Sequence, residues 1–163
     1  MIFTLNLLIF GLAAGVLIVE DMRRFEIKLE ILPVLASTAL LLNVYLGGSL
    51  VESLLAGGIW GGGAFGMYLL RKGCLGQGDI WLYLTAGFVF GLAGTLWIGG
   101  LLVALNLLTA FAYARSRNKR FGSSMFPAAL PVGLAMLAVV TWRVAMVLIE
   151  ASAFDITSAA TLA

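Results

Sequence analysis

The stretch Ile2-Phe3-Thr4-Leu5-Asn6-Leu7-Leu8-Ile9-Phe10-Gly11-Leu12-Ala13-Ala14-Gly15-Val16-Leu17-Ile18-Val19, closed at once by Glu20-Asp21-Met22-Arg23-Arg24, decides how the rest of the chain is read. A run of this length without a charge matches a membrane-crossing helix, which needs roughly 20 apolar residues. No basic segment precedes it and no small-residue cleavage site follows, so it reads as a retained helix rather than a signal peptide.

Five further apolar runs follow outward from it, at residues 31–48, 51–70, 80–94, 95–114 and 127–149. The fourth and fifth are separated only by the Gly91–Gly94 region, which predicts a tight turn between two helices rather than one very long helix. Of 163 residues, 62% are hydrophobic and 11% charged, and the mean hydropathy is +1.08, so the solvent of this chain is lipid. Six spans would use about 120 positions and leave around 40 for connections, too few for a sizeable soluble domain. The expectation is one domain over residues 1–163, an all-α polytopic membrane helical bundle with about six transmembrane helices.

The basic residues sort by loop. Arg23, Arg24 and Lys28 follow the first run, Arg71 and Lys72 the third, and Arg115, Arg117, Lys119 and Arg120 the fifth. Alternate connections therefore carry nine of the ten cations, which by the positive-inside rule places those connections in the cytoplasm and both termini outside. The net charge of +2 reflects this topology rather than a nucleic-acid partner. The tenth cation, Arg143, lies inside the sixth run and should snorkel outward or pair within the bundle. Trp60, Trp81, Trp97 and Trp142 read as interface anchors or lipid-facing packing.

Glycines recur every four residues at Gly58, Gly62 and Gly66, and likewise at Gly11 with Gly15 and Gly87 with Gly91. Such stripes let helix backbones approach closely in lipid, and predict a compact bundle without naming a reaction.

The chain has no histidine, which removes proteases with a histidine base, HExxH metalloproteases and most zinc sites. Its single cysteine, Cys74, can form neither an internal disulfide nor a Cys-x-x-Cys cluster. Neither a metal nor a cofactor is expected, and chemistry must come from carboxylates, hydroxyls or backbone.

The acids are few enough to take singly. Glu52, Glu150 and Asp155 fall on the outer side of the expected topology; Glu20, Asp21, Glu26, Glu30 and Asp79 fall on the cytoplasmic side. Asp21 sits at the C-terminal end of the first helix, where the macrodipole disfavours a carboxylate by about 0.3–1 kcal/mol. It reads either as a solvated charge among Arg23, Arg24 and Lys28 or as a site residue, while Glu20 reads as solvated. Asp79 follows Gly76-Gln77-Gly78 and precedes the apolar run from Ile80. It reads either as a helix N-cap or, at the membrane edge, as a functional carboxylate.

Gly76 and Gly78 lack a Cβ and so would let a substrate backbone come near. The spacing is not a dinucleotide fingerprint, and no Lys-Ser/Thr marks a phosphate loop. Although 58 positions apart, Asp21 and Asp79 belong to the same membrane face and can meet. Two carboxylates sharing a proton supply the base that activates water and the acid that polarises a peptide carbonyl.

On these residues the chain resembles a short-form type IV prepilin peptidase, the membrane aspartic protease of bacterial pilus and pseudopilus systems. Gly76-Gln77-Gly78-Asp79 corresponds to the family's G-x-G-D with its second catalytic aspartate. Asp21-Met22-Arg23, followed by Ile27, is similar to the segment bearing the first. Phe126-Pro127-Ala128-Ala129-Leu130-Pro131-Val132-Gly133 resembles the Pro-rich opening of the last helix. The chain departs from the pattern at Ile27-Lys28-Leu29, where the family has Ile-Pro-Asn, and at Trp81, where it has Lys. The first loop also lacks the cysteine-bearing segment that the family associates with N-methylation.

The resemblance implies an endopeptidase of the bacterial inner membrane that removes the basic leader of prepilin or pseudopilin substrates at the cytoplasmic face. Asp21 and Asp79 would be catalytic, and Gly76 and Gly78 would form the active-site loop. Two rivals stand beside it: a non-catalytic divergent homologue acting as a membrane assembly factor for pili or secretion pseudopili, and a small transporter with Asp79 as a proton or cation site. Transporters place charge near the midplane and carry internal repeats, and neither is visible here.

Overall fold

The computed structural model describes residues 2–24, 27–70, 75–116 and 128–161. The expectations resting on Arg71–Cys74, on Arg117, Lys119 and Arg120, and on Phe126 and Pro127 lie outside the described residues. Most of the described residues are helical, in α1 (Ile2–Arg24), α2 (Leu32–Tyr45), α3 (Leu50–Leu70), α4 (Gln77–Ser116) and α5 (Ala129–Thr161).

Helix α1 runs past the expected end of its apolar run, so Glu20 and Asp21 lie on its last turns beside Arg23 and Arg24, whose charge suits a helix C-terminus. Its buried residues Asn6, Phe10, Ala14, Leu17 and Asp21 follow one another at spacings of three or four and form one inward stripe. Leu8, Leu12 and Val16 are 60%, 62% and 47% exposed on the other side. An outer surface built of leucine and valine suits contact with lipid better than contact with water.

Pro33 is tolerated in α2 because the first N–H groups of a helix have no intrahelical partner. The helix stops at Gly47, whose φ of 76° opens a turn in which Gly47 N–H donates to Val44 O and Gly48 N–H donates to Asn43 O. In the first turn of α3, Ser49 Oγ accepts from Glu52 N–H at 3.4 Å.

Helix α4 is broken at Gly91, with φ 65° and ψ 179°, a conformation open essentially to glycine alone. An unbroken helix would separate Tyr83 from Gly99 by about 24 Å. Both instead lie against Trp60 of α3: Tyr83 stacks on it with ring centroids 6.0 Å apart, and a Cβ on Gly99 would stand 2.9 Å from its ring. Thr95 Oγ1 accepts from Trp60 Nε1 at 3.3 Å and donates to Gly91 O at 2.8 Å. The turn expected between the fourth and fifth runs is present.

The core lies where α1, α2, α4 and α5 meet, with Phe10, Leu17, Leu35, Leu42, Leu82 and Met136 all at most 2% exposed. Helix α3 packs on α4 through small residues: the expected Gly87 of α4 is at the contact, but α3 meets it through Gly57 and Gly61 rather than through the expected Gly58, Gly62 and Gly66. A Cβ on Gly87 would stand 2.5 Å from Ala56 O, whereas one on Gly58, Gly62, Gly66, Gly11 or Gly15 would meet nothing within 4 Å. Spacing by four reveals that close-approach stripes exist; which of several adjacent stripes faces the neighbour is set by the rotation of the helix in the bundle.

Among the described residues, three helices are long and apolar enough to cross a membrane: Ile2–Arg24, Leu50–Leu70 and Ala129–Glu150. Leu32–Tyr45 and Trp97–Ala112 are apolar but shorter. The expected all-α membrane bundle is thus met in its coarser form, while the count of six full spans is not. With 14 residues α2 reaches about 21 Å, less than the roughly 30 Å of a hydrocarbon core, because Pro33 and Gly47 fix its two ends.

Arg143 pairs within the bundle. Its Nη1 donates to Asn43 Oδ1 and, at 3.5 Å, to Val89 O; Nη2 donates to Leu46 O at 3.3 Å. Those carbonyls belong to the end of α2 and to the last turn before the Gly91 break, where helix C-termini leave acceptors free and carry negative partial charge. Asn43 in turn donates to Ser53 Oγ, which links α3 to the same cluster. Of the tryptophans, Trp81, Trp97 and Trp142 face outward, at 47%, 85% and 67% exposure, whereas Trp60 is an internal packing residue between α3 and both halves of α4.

Candidate aspartate site

The end of α1, the start of α4 and the start of α5 come together at one end of the bundle, opposite Arg143. Asp21 is 5% exposed, because it continues the inward stripe of Phe10, Ala14 and Leu17. The reading of Asp21 as a solvated charge among Arg23, Arg24 and Lys28 is therefore corrected. Its Oδ2 accepts from the Ala129 N–H at 2.8 Å, across 108 residues of sequence. Ala128, the residue before α5, has no side-chain acceptor, so a carboxylate from another helix takes the free N–H and the positive end of the α5 dipole. Ile18 rests on Gly133 one turn deeper, where a Cβ would stand 2.7 Å from it, which keeps α1 and α5 close.

Asp79 is the third residue of α4, not its N-cap. Gly76 holds the cap position: Asp79 Oδ2 reaches back to accept from Gly76 N–H at 2.7 Å, and Asp79 N–H donates to Gly76 O at 3.2 Å. This is the returning half of a capping box, with glycine in place of the capping hydroxyl. Asp79 is half-buried, and burial pushes its carboxyl above the ordinary value of 3.8, with the Gly76 hydrogen bond offsetting part of that.

The connection after α1 ties the two aspartate segments together. A Cβ on Gly78 would stand 2.6 Å from Ile27 Cβ, so the bare face of Gly78 is covered by the chain itself. Gly76 is exposed, and the nearest atom to a Cβ there would be the Asp79 carboxylate at 3.5 Å. Lys28 Nζ lies 2.8 Å from Glu20 Oε1, so Glu20 is paired rather than merely solvated, and its Oε2 is buried with no hydrogen-bond partner.

Two contacts at this end, the Ala129 backbone N–H and Ile27 on Gly78, and one at the opposite end, Asn43, escaped the sequence reading. The first two are long-range contacts without a local signal. Asn43 could have been found, since an amide inside an apolar run needs a partner and Arg143 is the only cation in such a run. The inward position of Asp21 was also legible, because Phe10, Leu17 and Asp21 share one helical face. Among the described residues, no group of three or more histidine, cysteine or acidic side chains is placed to hold a metal ion.

Compared with known proteins, the chain matches no family model, no curated protein and no solved structure.

Proposed function

We propose that the chain is a membrane aspartic endopeptidase that removes the basic leader of prepilin-like proteins. The observation that carries the reading is that the segments bearing Asp21 and Asp79, remote in sequence, meet at one end of the bundle, with Ile27 lying on Gly78 and Lys28 paired with Glu20. One carboxylate, ionised, takes a proton from water as its oxygen attacks the scissile carbonyl. The protonated partner polarises that carbonyl, and a proton passes to the departing amide nitrogen as the C–N bond breaks. The pair titrates as a unit, so base and acid are roles of the pair rather than fixed labels.

The basic residues of alternate connections support a cytoplasmic site in a bacterial inner membrane, with both termini outside and the short helices completing a six-segment crossing. A prepilin-like substrate, a short positive leader before an apolar helix, would present its scissile bond at that level. Gly76, exposed beside Asp79, offers the backbone approach.

A second reading has its own observation. Each carboxylate already accepts a backbone N–H, Asp21 from Ala129 and Asp79 from Gly76, which suits a non-catalytic assembly factor that keeps the aspartates as caps. Asp21→Asn and Asp79→Asn, made singly, separate the two, because asparagine still offers a carbonyl to the N–H but cannot exchange the proton. Loss of leader removal from a co-expressed prepilin in both variants, with membrane insertion intact, is the expected result. Normal processing by either variant rejects the dyad, and a parent chain inert on every leader favours the assembly factor.

A further inference from the structure

We propose that the connection Ile27–Ile31 is a strap seated on the Gly78 side of the aspartate end of the bundle in the free protein, held by Ile27 on Gly78 and by Lys28 on Glu20, and that a polypeptide lies along Gly78 beside Asp79 only when this strap lifts. The consequence for cleavage rests on the peptidase reading; the strap itself does not.

Two attachments define it. Ile27 lies on the bare face of Gly78, at a distance where even a methyl group on Gly78 would collide. Lys28 reaches back to Glu20, the neighbour of Asp21, at 2.8 Å. The strap therefore touches both aspartate segments, one residue from each aspartate. Beyond Lys28 the chain turns directly into α2, with Ile31 N–H donating to Lys28 O at 3.2 Å, so the strap hinges at a fixed helix start.

Both attachments are weak by construction. The Lys28 side chain is 51% exposed and Glu20 21%, which makes the ion pair one that solvent screens. Ile27 is partly buried and Leu29 is 50% exposed, so the strap tucks one apolar side chain inward and leaves the other outside. The arrangement covers the Gly78 face while leaving it reachable by a competitor that displaces one isoleucine and one ammonium group.

The test uses the full chain in lipid vesicles with Cys74→Ser, so that an introduced thiol is the only one. Ile27→Cys is labelled with a membrane-impermeant maleimide, and Leu29→Cys serves as the control. Glu20→Gln should raise the labelling rate of the thiol at position 27 about two- to fivefold, as loss of an exposed ion pair allows, and leave position 29 unchanged. The exchange Glu20→Lys with Lys28→Glu should restore the slow rate. Equal rates at position 27 with and without Glu20, or a matching rise at position 29, overturn the strap. With Ile27 native, Lys28→Gln should cleave a prepilin leader faster than the parent; slower cleavage overturns the blocking role. Absence of cleavage in every variant and the parent, with the labelling difference intact, removes the peptidase reading and leaves the strap standing.

Discussion

Asp21 caps a helix to which it does not belong: its carboxylate, near the end of α1, holds the first N–H of α5 at 2.8 Å. The same group is thus a candidate for chemistry and a fastening between the two ends of the sequence. Substitutions must be chosen so that these roles separate.

Asp21→Ala and Asp21→Asn should therefore differ in stability. Alanine leaves a buried N–H without an acceptor and an uncapped α5, a loss of about 1–2 kcal/mol. Asparagine keeps an acceptor and should unfold within about 0.5 kcal/mol of the parent. Denaturant titration in detergent, followed by tryptophan fluorescence, measures both; equal losses would show that the hydrogen bond is not the fastening.

Asp79 sets a pH dependence. Its carboxyl titrates above 3.8 in the folded chain, so the protonated form is favoured by folding. The stability this gives is complete below pH 3.8 and is lost as pH rises through the raised value. Asp79→Asn should accordingly unfold at a higher temperature than the parent at pH 7, the gap closing on acidification toward pH 3.8. A gap that widens on acidification would contradict burial as the dominant cause.

Gly91→Ala should destabilise the chain by about 1–3 kcal/mol, since φ 65° with ψ 179° is closed to residues with a Cβ. Gly58→Ala, with nothing within 4 Å of the new methyl group, should be neutral or slightly stabilising. Gly87→Ala should destabilise through the Ala56 carbonyl it would strike, not through its backbone angles. Unfolding midpoints of the three variants give the order directly.

Arg143→Leu should cost about 2 kcal/mol or more, because Asn43 Oδ1 and the Leu46 and Val89 carbonyls lose a charged donor. Arg143→Lys should recover only part of it, since a single ammonium cannot reproduce the planar spread of the guanidinium. The same titration checks this, and an unchanged Arg143→Leu variant would mean water or lipid headgroups satisfy those carbonyls.

What the sequence determined on its own is whatever depends on composition and short-range periodicity. The lipid-facing helices, the break near Gly91 and the placement of carboxylates at helix ends follow from runs of apolar residues, from glycine's backbone freedom and from the cost of charge in hydrocarbon. The tertiary structure decided which face of each helix turned inward. It chose Gly57 and Gly61 over Gly58 and Gly62, drew Arg143 to the free carbonyls of two helix ends, and joined Asp21 to Ala129 and Ile27 to Gly78. Such choices are collective: a helix rotates as one body, so the register of every contact is set by the packing of all its neighbours and by no local stretch of chain.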